Sequence, residues 1–134
     1  MLRVVADTNV YVSALHVGGV ADEVLAGARA SQFQLFVSRP ILRELERVLV
    51  GKLRWEPERA KEAIGAVRRL ATLVTPTESV AVIADDDPDN RIRECAMAAD
   101  AQLIVTGDRL LQALGSFRGI TIVSPRHFLG PGRA

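Results

Sequence analysis

Leu2-Arg3-Val4-Val5-Ala6-Asp7 is an apolar, β-branched run that ends on a carboxylate. It lacks polar–apolar alternation, which is the pattern of a strand buried on both faces of a parallel sheet. The same design returns at Leu103-Ile104-Val105-Thr106-Gly107-Asp108, where the glycine permits a tight turn before the acid. Asp89 opens the amphipathic segment that leads into this second run. In a parallel sheet the carboxyl ends of the strands share one edge, and ligands bind in the crevice there. Three acids far apart in the chain are thereby predicted to meet.

Working outward, Gln34 to Val37 and Ile120 to Val123 read as further strands. Thr72 to Thr75 is a short candidate, and Val80 to Ala84 an ambiguous apolar stretch. Val10 to Leu15 and Val20 to Ala30 read as helices broken by Gly18-Gly19. Ser38 is placed to cap the next helix, with Pro40 in its first turn, where a missing N–H costs little. Ile41, Leu42, Leu45, Val48 and Leu49 give that helix one apolar face, and Gly51 is expected to end it. Pro57 starts another helix, reaching about Ala71. Asp85-Asp86-Asp87-Pro88 reads as a loop, because like charges repel and proline constrains its predecessor. Ile92, Cys95, Ala96 and Ala99 then recur at helical spacing, and Arg109 to Leu114 is a short helix. This alternation predicts an α/β protein: a three-layer α/β/α sandwich around a central parallel sheet of four to five strands. One domain is expected over residues 1–129, with 130–134 as a frayed tail.

A chain of 134 residues, 49% hydrophobic, is large enough for one well-packed core. With only 4% aromatic residues, that core must be aliphatic, and base-stacking platforms are disfavoured. The single cysteine, Cys95, excludes an intramolecular disulfide and a cysteine-rich zinc site. It falls on an apolar helix face and reads as a small buried residue rather than a catalytic thiol. No apolar stretch approaches the ~20 residues that span a bilayer. Met1-Leu2-Arg3 runs straight into a strand without signal-peptide character, so a cytoplasmic protein is expected. The net charge of +1 is unevenly spread: Arg39 to Arg69 holds nine Arg/Lys against five Glu, while Glu78 to Asp108 holds eight acids against two Arg. A basic surface beside an acidic pocket follows.

Magnesium and manganese take hard oxygen ligands, often a few carboxylates completed by water and substrate phosphate. Nucleases use them to orient and acidify a water and to stabilise the leaving oxygen. Asp7, followed by Thr8-Asn9, suits such a site and equally suits a helix cap, and the two roles can coexist. Asp89 and Asp108 carry the same double reading. Asp85, Asp86 and Asp87 compete as loop acids. Glu44 and Glu46 sit at opposite margins of one apolar stripe, and periodicity does not choose between them. Other chemistries lack support. There is no phosphate-cradling glycine loop and no Gly-x-Ser-x-Gly elbow, and His16 and His127 have no zinc-ligand spacing.

Asp7-Thr8-Asn9-Val10, Ser38-Arg39-Pro40-Ile41-Leu42-Arg43-Glu44-Leu45, Asp87-Pro88-Asp89-Asn90 and Ile104-Val105-Thr106-Gly107-Asp108, in that order, resemble the PIN-domain ribonucleases. The similarity is closest to the toxin components of toxin–antitoxin systems (VapC-type), and Val123-Ser124-Pro125-Arg126-His127-Phe128-Leu129 matches that branch too. It spans essentially the whole chain, and the ordered set is more specific than any single motif. The resemblance implies a PIN-like nuclease domain and a Mg²⁺- or Mn²⁺-dependent endoribonuclease that cuts single-stranded RNA to 5′-phosphate and 3′-hydroxyl ends. It implies Asp7, Glu44, Asp89 and Asp108 as catalytic metal ligands, with Asn9, Asn90 and Thr106 in support. Many such toxins carry the third aspartate 18 positions before the last, which here is Asn90, so Asp89 takes the role with Asn90 as neighbour. Arg39, Arg43, Arg47, Lys52 and Arg54 are candidate contacts to the RNA backbone, since phosphate neutralisation dominates non-specific affinity. A cognate antitoxin and a homodimer are the implied partners. The alternatives are a non-catalytic RNA-binding or regulatory PIN fold, and an RNA-maturation nuclease that is not a toxin.

Overall fold

Val4, Val5 and Ala6 are successive residues, so their side chains point to opposite faces of the strand, yet all three are fully buried. Helices must therefore cover both sides of that strand, which makes the domain three layers deep. The computed structural model describes residues 1–79 and 88–130. The ambiguous stretch Val80 to Ala84, the loop acids Asp85, Asp86 and Asp87, and 131–134 of the tail lie outside the described residues.

The chain runs β1 (Arg3–Ala6), α1 (Thr8–His16), α2 (Gly19–Arg29), β2 (Gln34–Val37) and α3 (Arg39–Arg47). A π-helical turn over Val48–Lys52, α4 (Pro57–Leu70) and β3 (Thr72–Leu73) follow. After the undescribed segment come α5 (Pro88–Ala98), β4 (Leu103–Val105), α6 (Arg109–Ala113), β5 (Ser116–Phe117), β6 (Ile120–Val123) and α7 (Pro125–Leu129). The strands form one sheet in the order β3-β2-β1-β4-β6-β5. All neighbours are parallel except β5 and β6. The register sets Val5 beside Phe36 on one side and Ile104 on the other, and Ala6 beside Val105.

The sheet has one strand more than the four to five expected. Ser116–Phe117 folds back antiparallel on β6 through Arg118 and Gly119, whose φ values of 50° and 82° suit a tight hairpin turn. Gly51 does not end its helix. The chain widens into the π-helical turn, where the Leu53 N–H donates to the Val48 carbonyl at 3.0 Å, and Leu49 stays fully buried. Ser38 occupies the cap position of α3, but its hydroxyl makes no capping bond and is buried. The helix α7 adds to the expected elements, capped by the Ser124 hydroxyl, which accepts the His127 N–H at 3.0 Å. Phe128 of α7 then meets Phe33 edge-on, centroids 5.0 Å apart. Cys95 is fully buried, and burial pushes its thiol up to about 12, as a packing residue requires.

Gly18 joins α1 to α2 with φ 98° and ψ −132°, a conformation open essentially to glycine alone. An added Cβ would meet nothing within 4 Å there, so any cost comes from the backbone. Gly18→Ala is expected to lower stability by about 1–3 kcal/mol. Gly107→Ala, where space is also open and φ is not positive, should stay within about 0.5 kcal/mol. Chemical denaturation midpoints of the two variants check this, and equal losses would contradict it.

Candidate active site

The carboxyl edge of the sheet is built by register. Because Ala6 pairs with Val105, the next residues on the two strands, Asp7 and Thr106, emerge side by side. The Asp7 N–H donates to the Val105 carbonyl at 3.0 Å, and the Thr106 N–H donates to the Val123 carbonyl at 2.9 Å. The buried Thr106 hydroxyl donates to Asp7 Oδ2 and accepts the Asp108 N–H at 3.0 Å. One hydroxyl thus ties the ends of both strands together.

Asp7 is 2% exposed. Its Oδ1 accepts the Val10 N–H at 3.0 Å, so the residue does cap α1. Burial pushes its carboxyl up from the ordinary 3.8 to about 6. The Thr106 and Val10 hydrogen bonds oppose that rise, and the charges of Asp89 and Asp108 add to it. The charges of Asp89 in α5 and of Asp108 after β4 thus both reach Asp7. Asp108 also caps its helix, with Oδ1 accepting Leu110 N–H at 2.8 Å and Leu111 N–H at 3.4 Å. In both aspartates capping coexists with a place at the acid edge.

Asp89 and Asn90 differ in their surroundings. Asp89 is half-buried in the first turn of α5. Asn90 is fully buried, and its Oδ1 accepts from Arg93 Nη1 at 3.0 Å. Arg93, also fully buried, holds its guanidinium 5.7 Å from the centre of the Phe117 ring. Sequence reasoning passed over Arg93; the spacing of three from Asn90 on one helix was the available signal. It also passed over Gln112, whose Nε2 donates to the Thr106 carbonyl at 2.7 Å.

Packing separates the two glutamates that periodicity left equal. Glu46 is exposed, whereas Glu44 is half-buried beside a cavity of about 100 Å³ lined by Thr8, Pro40, Pro88 and Arg91. Both Glu44 oxygens are held by Arg47, at 2.7 and 2.9 Å, and these bonds keep the carboxyl below its ordinary range. Glu44 is not among the charges that shift Asp7. Arg47 is correspondingly committed to Glu44, while Arg39, Arg43, Lys52 and Arg54 are exposed. Asn9 is exposed beside Asp108 on the wall of a larger groove. His16 Nδ1 accepts the Trp55 indole N–H at 3.2 Å, so that ring serves packing.

Among the described residues, no three acidic, imidazole or thiol side chains are gathered tightly enough to cage a metal ion unaided. Magnesium does not need such a cage: it keeps several waters and is commonly held by one or two carboxylates. A buried carboxyl already raised to about 6, with two further aspartates acting on it, is a donor set that a hard divalent cation would relieve.

The class is then an α/β domain whose mostly parallel sheet sets Asp7, just after β1, and Asp108, just after β4, along one edge, with the charge of Asp89 in α5 acting on Asp7. The chain belongs to the PIN domain family of nucleases: that family's model, described as PIN domain, matches residues 3–110. Among solved structures it is similar to VapBC2 from Rickettsia felis bound to a DNA fragment from its promoter, with TM-score 0.65, 13% identity, and coverage of 92% of this chain and 98% of that one. It is also similar to VapBC-1 from nontypeable Haemophilus influenzae, with TM-score 0.59, 18% identity, and coverage of 80% of this chain and 87% of that one. Both likenesses are of fold. No curated protein matches the chain in sequence. None of the helices among the described residues is long and apolar enough to cross a membrane.

Proposed function

We propose that the chain is a Mg²⁺- or Mn²⁺-dependent endoribonuclease acting on single-stranded RNA, and the toxin of a toxin–antitoxin pair. One observation carries the nuclease reading: Asp7 is buried at the edge of the sheet, tied through Thr106 to Asp108 and charged against Asp89. In this reading Asp7, Asp89, Asp108 and Glu44 would hold the cation, directly or through its waters. The bound ion would supply an activated water and charge stabilisation at the phosphate.

The chain's own residues set the conditions for that chemistry. Thr106 holds Asp7 in one orientation and lowers its pKa against the burial that raises it. The ordered α1 and α6 caps fix Asp7 and Asp108 on their backbones. Arg47 holds Glu44 ionised at the margin of the site. The engagement of the Asn90 amide oxygen by Arg93 supports Asp89 rather than Asn90 as the third ligand. Arg39, Arg43, Lys52 and Arg54 offer exposed charge to the RNA backbone. The toxin reading is supported by two structural neighbours that are parts of VapBC complexes, and it brings with it an antitoxin, a homodimer and a cytoplasmic location.

Asp108→Asn tests the site, because an asparagine oxygen can keep the cap of α6 while removing the charge. A labelled single-stranded oligoribonucleotide should be cut by the wild type in Mg²⁺ or Mn²⁺, spared in EDTA, and spared by the variant. Calorimetric titration with Mn²⁺ should show binding that the variant loses. No cleavage together with no Mn²⁺ binding would leave a non-catalytic PIN fold. Induced expression should arrest growth, with relief by the neighbouring gene product; cleavage without arrest points instead to RNA maturation.

A further inference from the structure

A groove of about 640 Å³ runs beside the acid edge, with Gly107 and Asp108 in one wall. Its size is that of pockets that enclose small organic groups. Arg126, in α7, lines the same groove. It is exposed, and its guanidinium has no hydrogen-bond or ion-pair partner among the described residues, although Asp108 shares the groove. Asp108 Oδ1 is occupied by the N–H groups of α6. An unpaired guanidinium within reach of a nuclease's acids is suited to a phosphate, which it can meet with two parallel hydrogen bonds.

The rest of the lining is amphipathic in the way a nucleotide is. Val17 and Val20 present apolar surface, and Asn9 and Ser13 present polar groups from α1. Gln112 has its Nε2 committed to the Thr106 carbonyl, which orients its Oε1 as the remaining acceptor. The groove is thus joined through Gln112 to the backbone of Thr106, the residue whose hydroxyl holds Asp7. On the other flank of the edge, Arg39 and Arg43 line a separate cavity of about 330 Å³ with Thr75 and Thr77. Cations therefore stand on both flanks of the acids.

We propose that this groove seats a nucleotide of the RNA on the Asp108 side of the cleaved bond, with Arg126 binding its phosphate. The inference rests on the nuclease reading and extends it to a substrate position that the basic face of α3 does not provide. Arg126 binds substrate here and takes no part in the bond-breaking step.

Steady-state cleavage of a short, fluorescein-labelled single-stranded oligoribonucleotide in Mg²⁺ separates the possibilities. Arg126→Ala is expected to raise KM roughly tenfold with kcat within about twofold, the loss fitting one charge-assisted contact. Binding of the same probe, measured by anisotropy on an Asp108→Asn background, should lose about one from its log–log salt slope. Arg126→Lys should restore the slope but only part of the affinity. Unchanged KM and slope in Arg126→Ala, with the wild type active, would overturn the proposal. So would weakened binding of the co-expressed neighbouring protein with RNA handling intact, which would assign the groove to a protein partner. A wild type that neither cuts nor binds the probe removes the nuclease reading itself, and this position with it.

Discussion

Asp7→Asn is expected to abolish cleavage and, in the absence of metal, to stabilise the protein at neutral pH. Asp7 is 2% exposed, and its carboxyl stands at about 6 in the fold against an ordinary 3.8. A carboxyl raised on folding binds its proton more tightly in the folded state. Its contribution to stability is complete below about pH 3.8 and is lost as pH rises through about 6. At 1.36 kcal/mol per unit, the loss at neutral pH is about 3 kcal/mol. Asparagine carries no charge to bury, and its oxygen can still accept the Val10 N–H. Thermal unfolding without divalent ions should therefore show the variant several degrees more stable at pH 7.5, with the gap closing towards pH 4. Adding Mg²⁺ should raise the wild-type midpoint more than the variant's, because a ligand that binds only the folded state stabilises it. Cleavage should fall by more than about 100-fold, the upper end for losing a group that only supports the ligands. A variant that cuts RNA normally, or that is less stable than wild type at pH 7.5 without metal, would remove Asp7 from the centre of the site.

Thr106→Val should damage both stability and cleavage through a single hydroxyl. Valine has nearly the same shape, so the core keeps its packing. The change strips the donor from Asp7 Oδ2 and the acceptor from the Asp108 N–H. Leaving such groups unsatisfied at a buried position costs about 1–3 kcal/mol. The lost bond was lowering the Asp7 pKa, so the acid limb of the pH–rate profile should move to higher pH. Activity should drop about 10–100-fold, as for a group that orients a metal-binding carboxylate. Thr106→Ser, which returns the hydroxyl, should recover most of both. A valine variant with the wild-type pH profile would show that the hydroxyl does not act through Asp7.

Much of the fold was legible because its signals are local. Short apolar runs marked β1, β2, β4 and β6, and Pro40 and Pro57 marked helix starts. The elements that escaped are short and owe their existence to neighbours. Ser116–Phe117 is a two-residue strand that exists only against Ile120–Val123, and Pro125–Leu129 is held by Phe128 on Phe33. The π-helical turn escaped for a related reason: Gly51 is a breaker by propensity, but keeping Leu49 buried outweighs it.

The amino-acid sequence by itself determined that acids would stand at the ends of buried strands, since Asp7 and Asp108 follow runs whose pattern is readable residue by residue. Tertiary structure alone decided how they meet. The parallel register of β1 and β4 sets Asp7 beside Thr106, and a shift of one residue would have turned one of them to the other face. Packing of α3 likewise sheltered Glu44 and exposed Glu46, and the buried Arg93 engaged Asn90 beside the half-buried Asp89. Periodicity reports which face of an element is apolar. Which polar residue at its margin is drawn to a site depends on the neighbour that covers it.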